Sequence, residues 1–314
     1  MRDALGRTRV TLANGARAVL SPSGLRGTGL EAAWTLAHVA TYPFGVLREK
    51  RERPEERYTL DQLSPLKRGL LLGDVEAAGT PIVLVHGWVD NRSIFTLLRR
   101  QLRRRGFGRV VTMNYSIVTH DVVRAARRLG QLVEQLCEAT GYERVHVVGH
   151  SMGGLVARYY VQHLGGDARV HTLATLGTPH AGTRAAHLVP FGSAAKQCRP
   201  QSPVIRALAE PAPGCQTRFV AVWSDLDHLV VPKHSARIDH PDLAVRNVFV
   251  RGVGHLSLPI HGTVVHEIIS AFAHLDADGS TVAPAVTPLP AEKPAPEPLP
   301  ALRRRTRRSA GSSA

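Results

Sequence analysis

The stretch Val147-Val148-Gly149-His150-Ser151-Met152-Gly153-Gly154-Leu155 decides the reading of this 314-residue chain. An apolar, strand-like run enters it, a G-x-S-x-G pattern spans its centre, and a helical stripe leaves it and ends at Gly165-Gly166. A serine on a sharp strand-to-helix turn sits on strained backbone, with the incoming strand and the outgoing helix closely apposed. Glycine two residues before and two after the serine tolerates that crowding. The pattern by itself is common. The strand before it and the helix after it are what make Ser151 the expected nucleophile of an elbow turn.

Outward from this turn, short apolar runs alternate with longer stretches of helical period from Pro81 onward, the pattern of an α/β chain whose mostly parallel sheet carries helices on both faces. Strands are expected over 81–85, 109–114, 145–148, 170–176, 219–223 and 246–250. Ile94, Phe95, Leu97, Leu98 and Leu102 make one helical stripe that ends near Gly106. A second stripe, Val122, Ala126, Leu129, Leu132, Val133 and Leu136, has Asp121 as its N-cap and closes at Gly141. Val264, Val265, Ile268, Ile269 and Phe272 make a third. All three read as core faces. Residues 179–217, rich in Pro, Ala and Gly, exceed an ordinary connection and are expected to form a small lid or substrate-binding insertion. The α/β domain thus spans 80–277. Residues 1–79 precede it as an N-terminal extension, and 278–314 follow as a Pro/Ala/Arg-rich tail whose composition predicts disorder.

A serine hydroxyl is a poor nucleophile at its own pKa, so a base must take its proton and a carboxylate must hold that base in the right tautomer. In this architecture the two partners follow the serine in the order acid, then histidine, each just past the end of a later strand. His255 fits the base, because Arg251-Gly252-Val253-Gly254-His255 follows the last expected strand and precedes the final helix. His163 and His274 fall instead on helical stripes, where a packed or surface histidine is the plainer reading. Asp225 and Asp227 both follow the strand ending near Trp223. Asp227 is preferred, since Leu229-Val230-Val231-Pro232 reads as the apolar turn anchoring an acid loop, which leaves Asp225 to stabilise the turn. A charged tetrahedral intermediate needs two preorganised N–H donors. The backbone N–H of Met152, at the start of the helix, is one candidate. The N–H of Trp88, after the Gly87 turn that ends the first strand, is the other.

Four motifs together, His86-Gly87, Gly149-His150-Ser151-Met152-Gly153-Gly154, Leu176-Gly177-Thr178-Pro179-His180-Ala181-Gly182-Thr183 and Gly252-Val253-Gly254-His255, resemble bacterial triacylglycerol lipases and esterases of actinobacterial type in the α/β-hydrolase superfamily. The resemblance extends to GPI-inositol-deacylase-like hydrolases and covers about residues 80–275. It implies the α/β-hydrolase fold, cleavage of carboxylic esters of lipid-like substrates through an acyl-enzyme, and no cofactor. It also implies that Thr178-Pro179-His180 begins the wall of the acyl pocket. The same triad serves acyltransferases, where access of water to the pocket decides the acceptor, and the fold also carries non-catalytic membrane-surface modules. Both remain alternatives at this stage.

The formal charge of +15 points at first to polyanions. It is not concentrated, however: residues 1–80 hold 12 basic against 9 acidic residues and residues 279–314 hold 6 against 2, with the rest spread between them. Aromatics at 5% leave little surface for stacking bases, so nucleic acid is not an expected partner. No H-E-x-x-H pattern and no Cys pair at zinc spacing is present, and no metal is expected. Cys198 and Cys215 either pair across one loop or stay as thiols. Met1 to Arg26 carries five arginines and no compact charged start followed by an apolar run, so a conventional signal peptide is not expected. Leu30 to Leu47 is apolar but interrupted by Glu31, His38 and Pro43, and is shorter than the ~20 residues a spanning helix needs. Two readings stay open for it: an amphipathic helix on an anionic membrane, helped by the Arg303 to Arg308 run, or a helix docked on the domain through Leu30, Trp34 and Val39.

Overall fold

Six short runs rich in Val, Leu and Ala, the central four buried along most of their length and the two at the sheet edges less so, are what a parallel sheet between two helical layers requires. In the computed structural model, which describes residues 27–29, 31–32, 79–88, 92–115, 121–188 and 193–273, these runs are β1 Ile82–Val85, β2 Val110–Met113, β3 Val145–His150, β4 Val170–Leu176, β5 Arg218–Ser224 and β6 Ala244–Val250. All adjacent pairs are parallel, and the strand order is β2-β1-β3-β4-β5-β6. The helices are α1 Thr96–Arg104, α2 Val122–Thr140, α3 Met152–His163, α4 Ser193–Gln197, α5 Pro203–Ala207 and α6 Gly262–Phe272.

Alternation along each strand divides the core. Val83, Val85, Val145, Val147, Leu173 and Phe219 face α2 and α3, while Ile82, Leu84, Val148, Ala174, Val220 and Val222 face α1 and α6. The stripes behave accordingly. Leu98 and Leu102 of α1, Leu129 and Val133 of α2, and Ile268 and Phe272 of α6 are fully buried. Leu97, placed on the first stripe by its spacing, is instead 36% exposed, because α1 begins only at Thr96 after a 3-10 turn over Arg92–Phe95 that shifts the phase. Asp121 caps α2 as expected: Oδ1 accepts from the N–H groups of Val123 at 2.8 Å and Arg124 at 3.2 Å, an arrangement worth about 1 kcal/mol. Gly141 closes the helix in the left-handed region at φ 75°.

The strand order reverses at β1. The chain runs from β1 to β2 on one side and then returns to place β3 on the other. The crevice beyond the carboxyl ends of β1 and β3 is therefore the switch point where open α/β sheets hold ligands. The register sets Val85 beside Gly149, so the loops carrying Trp88 and Ser151 leave the sheet next to each other. Residues 179–217 hold α4, α5 and a 3-10 turn over Arg184–His187. Arg158 of α3 ties this segment down by donating to the carbonyl of Leu208 at 2.7 Å.

Of the apolar segment 30–47 only residues 31 and 32 are among those described, and the tail 278–314 and His274 lie outside them. No described helix is long and apolar enough to cross a membrane.

Candidate active site

Ser151 joins β3 to α3 at φ 54° and ψ −126°, a conformation that costs a non-glycine residue about 1–3 kcal/mol and persists only where neighbours enforce it. The enforcing bonds are at hand. The N–H of Ser151 donates to the carbonyl of Leu176 at 2.9 Å, and its own carbonyl accepts from Gly154 at 3.0 Å. A side chain at Gly153 would overlap the carbonyl oxygens of Val85 and His86, so only glycine lets the start of α3 press against the end of β1. Gly153→Ala is therefore expected to cost about 1–3 kcal/mol of stability, read from urea unfolding, as the β1 loop is pushed off the helix.

The β1 loop is braced from β2. Tyr115 stacks on His86 with centroids 4.4 Å apart, and its hydroxyl donates to the His86 carbonyl at 2.6 Å. His86 Nδ1 in turn donates to the carbonyl of Gly87 at 3.0 Å. The loop thus passes so close to the turn at Ser151 that a Cβ on Gly87 would sit 2.8 Å from that of Ser151. Trp88 follows directly and packs partly buried on the core. Met152 opens α3, where the first N–H groups of a helix have no intrahelical acceptor.

His255 and Asp227 meet in the same place. Nδ1 of His255 donates to Asp227 Oδ2 at 2.7 Å, and both residues are buried. Oδ1 of Asp227 accepts from the N–H groups of Leu229 at 2.9 Å and Val230 at 3.1 Å. Lys233 Nζ donates to the carbonyl of Asp227. Burial alone would raise the Asp227 carboxyl, yet the His255 ring and its hydrogen bond, with the two loop N–H groups, hold it below its ordinary value. Asp225 takes a different part: Oδ1 accepts the N–H of Gly252 at 2.6 Å, which ties the loop after β5 to the loop after β6.

Ser151, His255, Trp88 and Met152 line one cavity of about 290 Å³. Most of its other walls are apolar, from Pro179, Ala185, Ala186, Ala195, Leu229 and Val230. The Thr178-Pro179-His180 segment divides: Pro179 faces the cavity, whereas His180 turns away to Thr175 Oγ1 at 2.9 Å and to Arg158. Burial, with Arg158 beside it, holds His180 well below the ordinary imidazole range, so it stays neutral and structural. His163 donates to the carbonyl of Ala207 at 3.0 Å, again a packing role. Cys198 and Cys215 are both thiols. Cys198 lines the cavity and is pushed up to about 12 by burial, while Cys215 donates to Asp167 Oδ1 at 3.3 Å.

Sequence reasoning passed over two residues that shape this site. Tyr115 lies in a short polar stretch after β2 that carries no motif. His150 stands at the variable position of the G-x-S-x-G pattern, yet its Nε2 donates to the backbone carbonyl of His255 at 3.1 Å, and the two rings lie 4.8 Å apart.

Residues 80–196 match the family described as alpha/beta hydrolase fold. With six parallel strands in the order above and the serine turn at their switch point, the architecture is settled. The chain has the α/β-hydrolase fold. Two curated triacylglycerol lipases, from Pseudarthrobacter phenanthrenivorans and Burkholderia plantarii, are each 31% identical over 117 residues, 35% of this chain. That segment spans 36% and 32% of their lengths, about a third of each. Among solved structures, the mature form of the Bacillus licheniformis lipase BlEst2 superposes with a TM-score of 0.51 at 16% identity, over 62% of this chain and 92% of that one. A likeness at that identity speaks to the fold alone. This chain shares the fold of that lipase.

Proposed function

We propose that this α/β hydrolase cleaves carboxylic esters with an apolar acyl chain. Ser151 is the nucleophile, His255 the base and Asp227 its partner, and the N–H groups of Met152 and Trp88 receive the oxyanion. The observation that carries the reading is the buried His255–Asp227 pair opening onto the same apolar cavity as a serine on strained backbone. In the first half-reaction Ser151 Oγ attacks the ester carbonyl while His255 takes its proton and delivers it to the leaving alcohol. In the second, His255 takes a proton from water, the hydroxide releases the acid, and the proton returns to Ser151.

The cavity and its rim point to a lipid-like acyl group. Thr183 Oγ1 donates to the carbonyl of Leu229 at 2.8 Å and accepts from the N–H of Val231 at 2.9 Å, which knits the insertion to the acid loop. Leu229 and Val231 lie exposed on that seam, and Leu188 is 85% exposed at the end of the neighbouring 3-10 turn. A series of p-nitrophenyl esters tests the reading. Each CH₂ buried is worth about 0.8 kcal/mol, so kcat/KM is expected to rise about fourfold per added carbon until the cavity is full. A fluorophosphonate is expected to leave its adduct on the peptide containing Ser151. A series that falls from acetate onward removes the apolar acyl pocket, and an adduct elsewhere removes Ser151.

A further inference from the structure

Residues 27–29 and 31–32, which precede the family match over 80–196, lie against the two loops that carry Asp227 and His255. Glu31 makes three hydrogen bonds there. Its Oε1 accepts from the N–H of Leu256 at 2.7 Å, and its Oε2 accepts from the N–H of Ser257 at 2.9 Å and from Ser257 Oγ at 2.6 Å. These are the two residues that follow His255. The approach is close enough that a side chain at Gly254 would overlap the Glu31 carboxylate, and one at Gly27 would overlap the carbonyl of Gly252 and reach Leu226 at 2.7 Å. Gly254 therefore has a reason to be glycine beyond the turn it makes: Glu31 occupies the space a side chain would fill.

We propose that Glu31 is a positioning residue for the catalytic histidine, an inference that rests on the serine-hydrolase reading above. The His255 backbone is held from two directions. Its carbonyl accepts from His150 at 3.1 Å, and the two peptide N–H groups after it are fixed by one carboxylate. Charge-assisted hydrogen bonds to backbone N–H are among the stronger and more directional contacts a loop can have. With the backbone pinned on both sides, the imidazole keeps Nδ1 on Asp227 and turns its other nitrogen to the cavity. Released on one side, the loop gains freedom over distances that matter for proton transfer, where misplacement by about 1 Å costs up to about 100-fold in rate.

Glu31→Gln keeps the shape of the side chain but replaces one acceptor oxygen with a donor that opposes Leu256 N–H or Ser257. It is expected to lower kcat about 10- to 100-fold with KM within about twofold of the parent, and to slow fluorophosphonate labelling of Ser151 by the same factor. Glu31→Asp, which keeps the charge and shortens the reach by one carbon, is expected to recover part of that loss. Gly254→Ala, which displaces the carboxylate without altering it, is expected to reproduce the Glu31→Gln phenotype. A readout independent of turnover is the low-field proton NMR signal of the His255 Nδ1–H on Asp227, expected to broaden or vanish in Glu31→Gln while the thermal midpoint stays within a few degrees. Full kcat and an unchanged Nδ1–H signal in Glu31→Gln overturn the proposal, as does a loss of kcat fully accounted for by unfolded protein. A parent chain that neither turns over esters nor labels at Ser151 overturns the serine-hydrolase reading instead, and the NMR signal still reports whether Glu31 holds His255.

Discussion

Ser151→Ala is expected to lower ester turnover on the order of 10⁶-fold, leaving a residue of catalysis roughly 10³-fold or more above water that comes from binding and the oxyanion donors. The size of the loss follows from the proposed mechanism, in which the three residues act as a unit: without the hydroxyl, His255 has no proton to take and Asp227 nothing to steady. Stability is not expected to fall with it. The serine occupies φ 54° and ψ −126° because the bond from its N–H to Leu176 and the packing of α3 on β1 oblige it to, not because its side chain gains anything there. Alanine inherits that backbone and is expected to unfold at nearly the parent midpoint. Ser151→Gly removes the side-chain penalty and is expected to be more stable than the parent by about 1 kcal/mol, while equally inactive. Urea unfolding of the three proteins beside an ester assay checks both halves. A Ser151→Ala chain that keeps more than a few per cent of parental turnover ends the assignment of Ser151.

The fold was legible in the sequence because a parallel sheet covered on both faces leaves its strands as plain apolar runs, and because Asp121 and Gly141 carry helix-end chemistry that depends on one or two residues. β6 was the least legible strand. Only Val250 of its seven residues is buried, and it starts two residues earlier than its composition suggests because Ala244 pairs with Arg218 of β5. The residues proposed to react could be named from local signals, the glycines around Ser151 and the loop positions after β5 and β6. Choosing between Asp225 and Asp227 from the sequence relied on the apolar turn that follows. In the structure it is Asp227 that meets His255, while Asp225 receives Gly252 N–H.

What supports those residues was not legible, and the reason is physical. Tyr115 reaches His86 across 29 positions, His150 reaches His255 across 105, and Glu31 reaches Leu256 across 225. None of these bonds leaves a periodicity or a spacing in the chain. In the sequence Glu31 interrupts an apolar segment, which is how a half-buried carboxylate set against backbone N–H groups looks when its acceptor role is hidden by sequence distance. The charge illustrates the opposite error. A net +15 is the most conspicuous number in the composition, yet the candidate site is built from one carboxylate, one imidazole, one hydroxyl and apolar walls.

Asp227→Asn is expected to lower kcat about 10⁴-fold while leaving the fold intact, and the hydrogen bonds around Asp227 say why. Oδ1 already accepts two backbone N–H groups, from Leu229 and Val230, so the carboxamide oxygen of asparagine takes that place. The amide NH₂ then points at His255 Nδ1, which must accept instead of donate. The ring proton moves to the nitrogen facing Ser151, and a base that already carries its proton cannot take another from the serine. The pH dependence of stability gives a second, independent readout. The folded Asp227 carboxyl lies below its ordinary value, so its contribution to stability is present above the unfolded value near 3.8 and is lost as pH falls through the lower folded value. The parent is therefore expected to lose its stability advantage over the Asp227→Asn chain as pH falls below about 4, because the parent alone loses a stabilising charge there. Curves that stay parallel to pH 2 rule out a native carboxylate held by His255, and an asparagine variant within tenfold of parental kcat rules out its role in setting the tautomer.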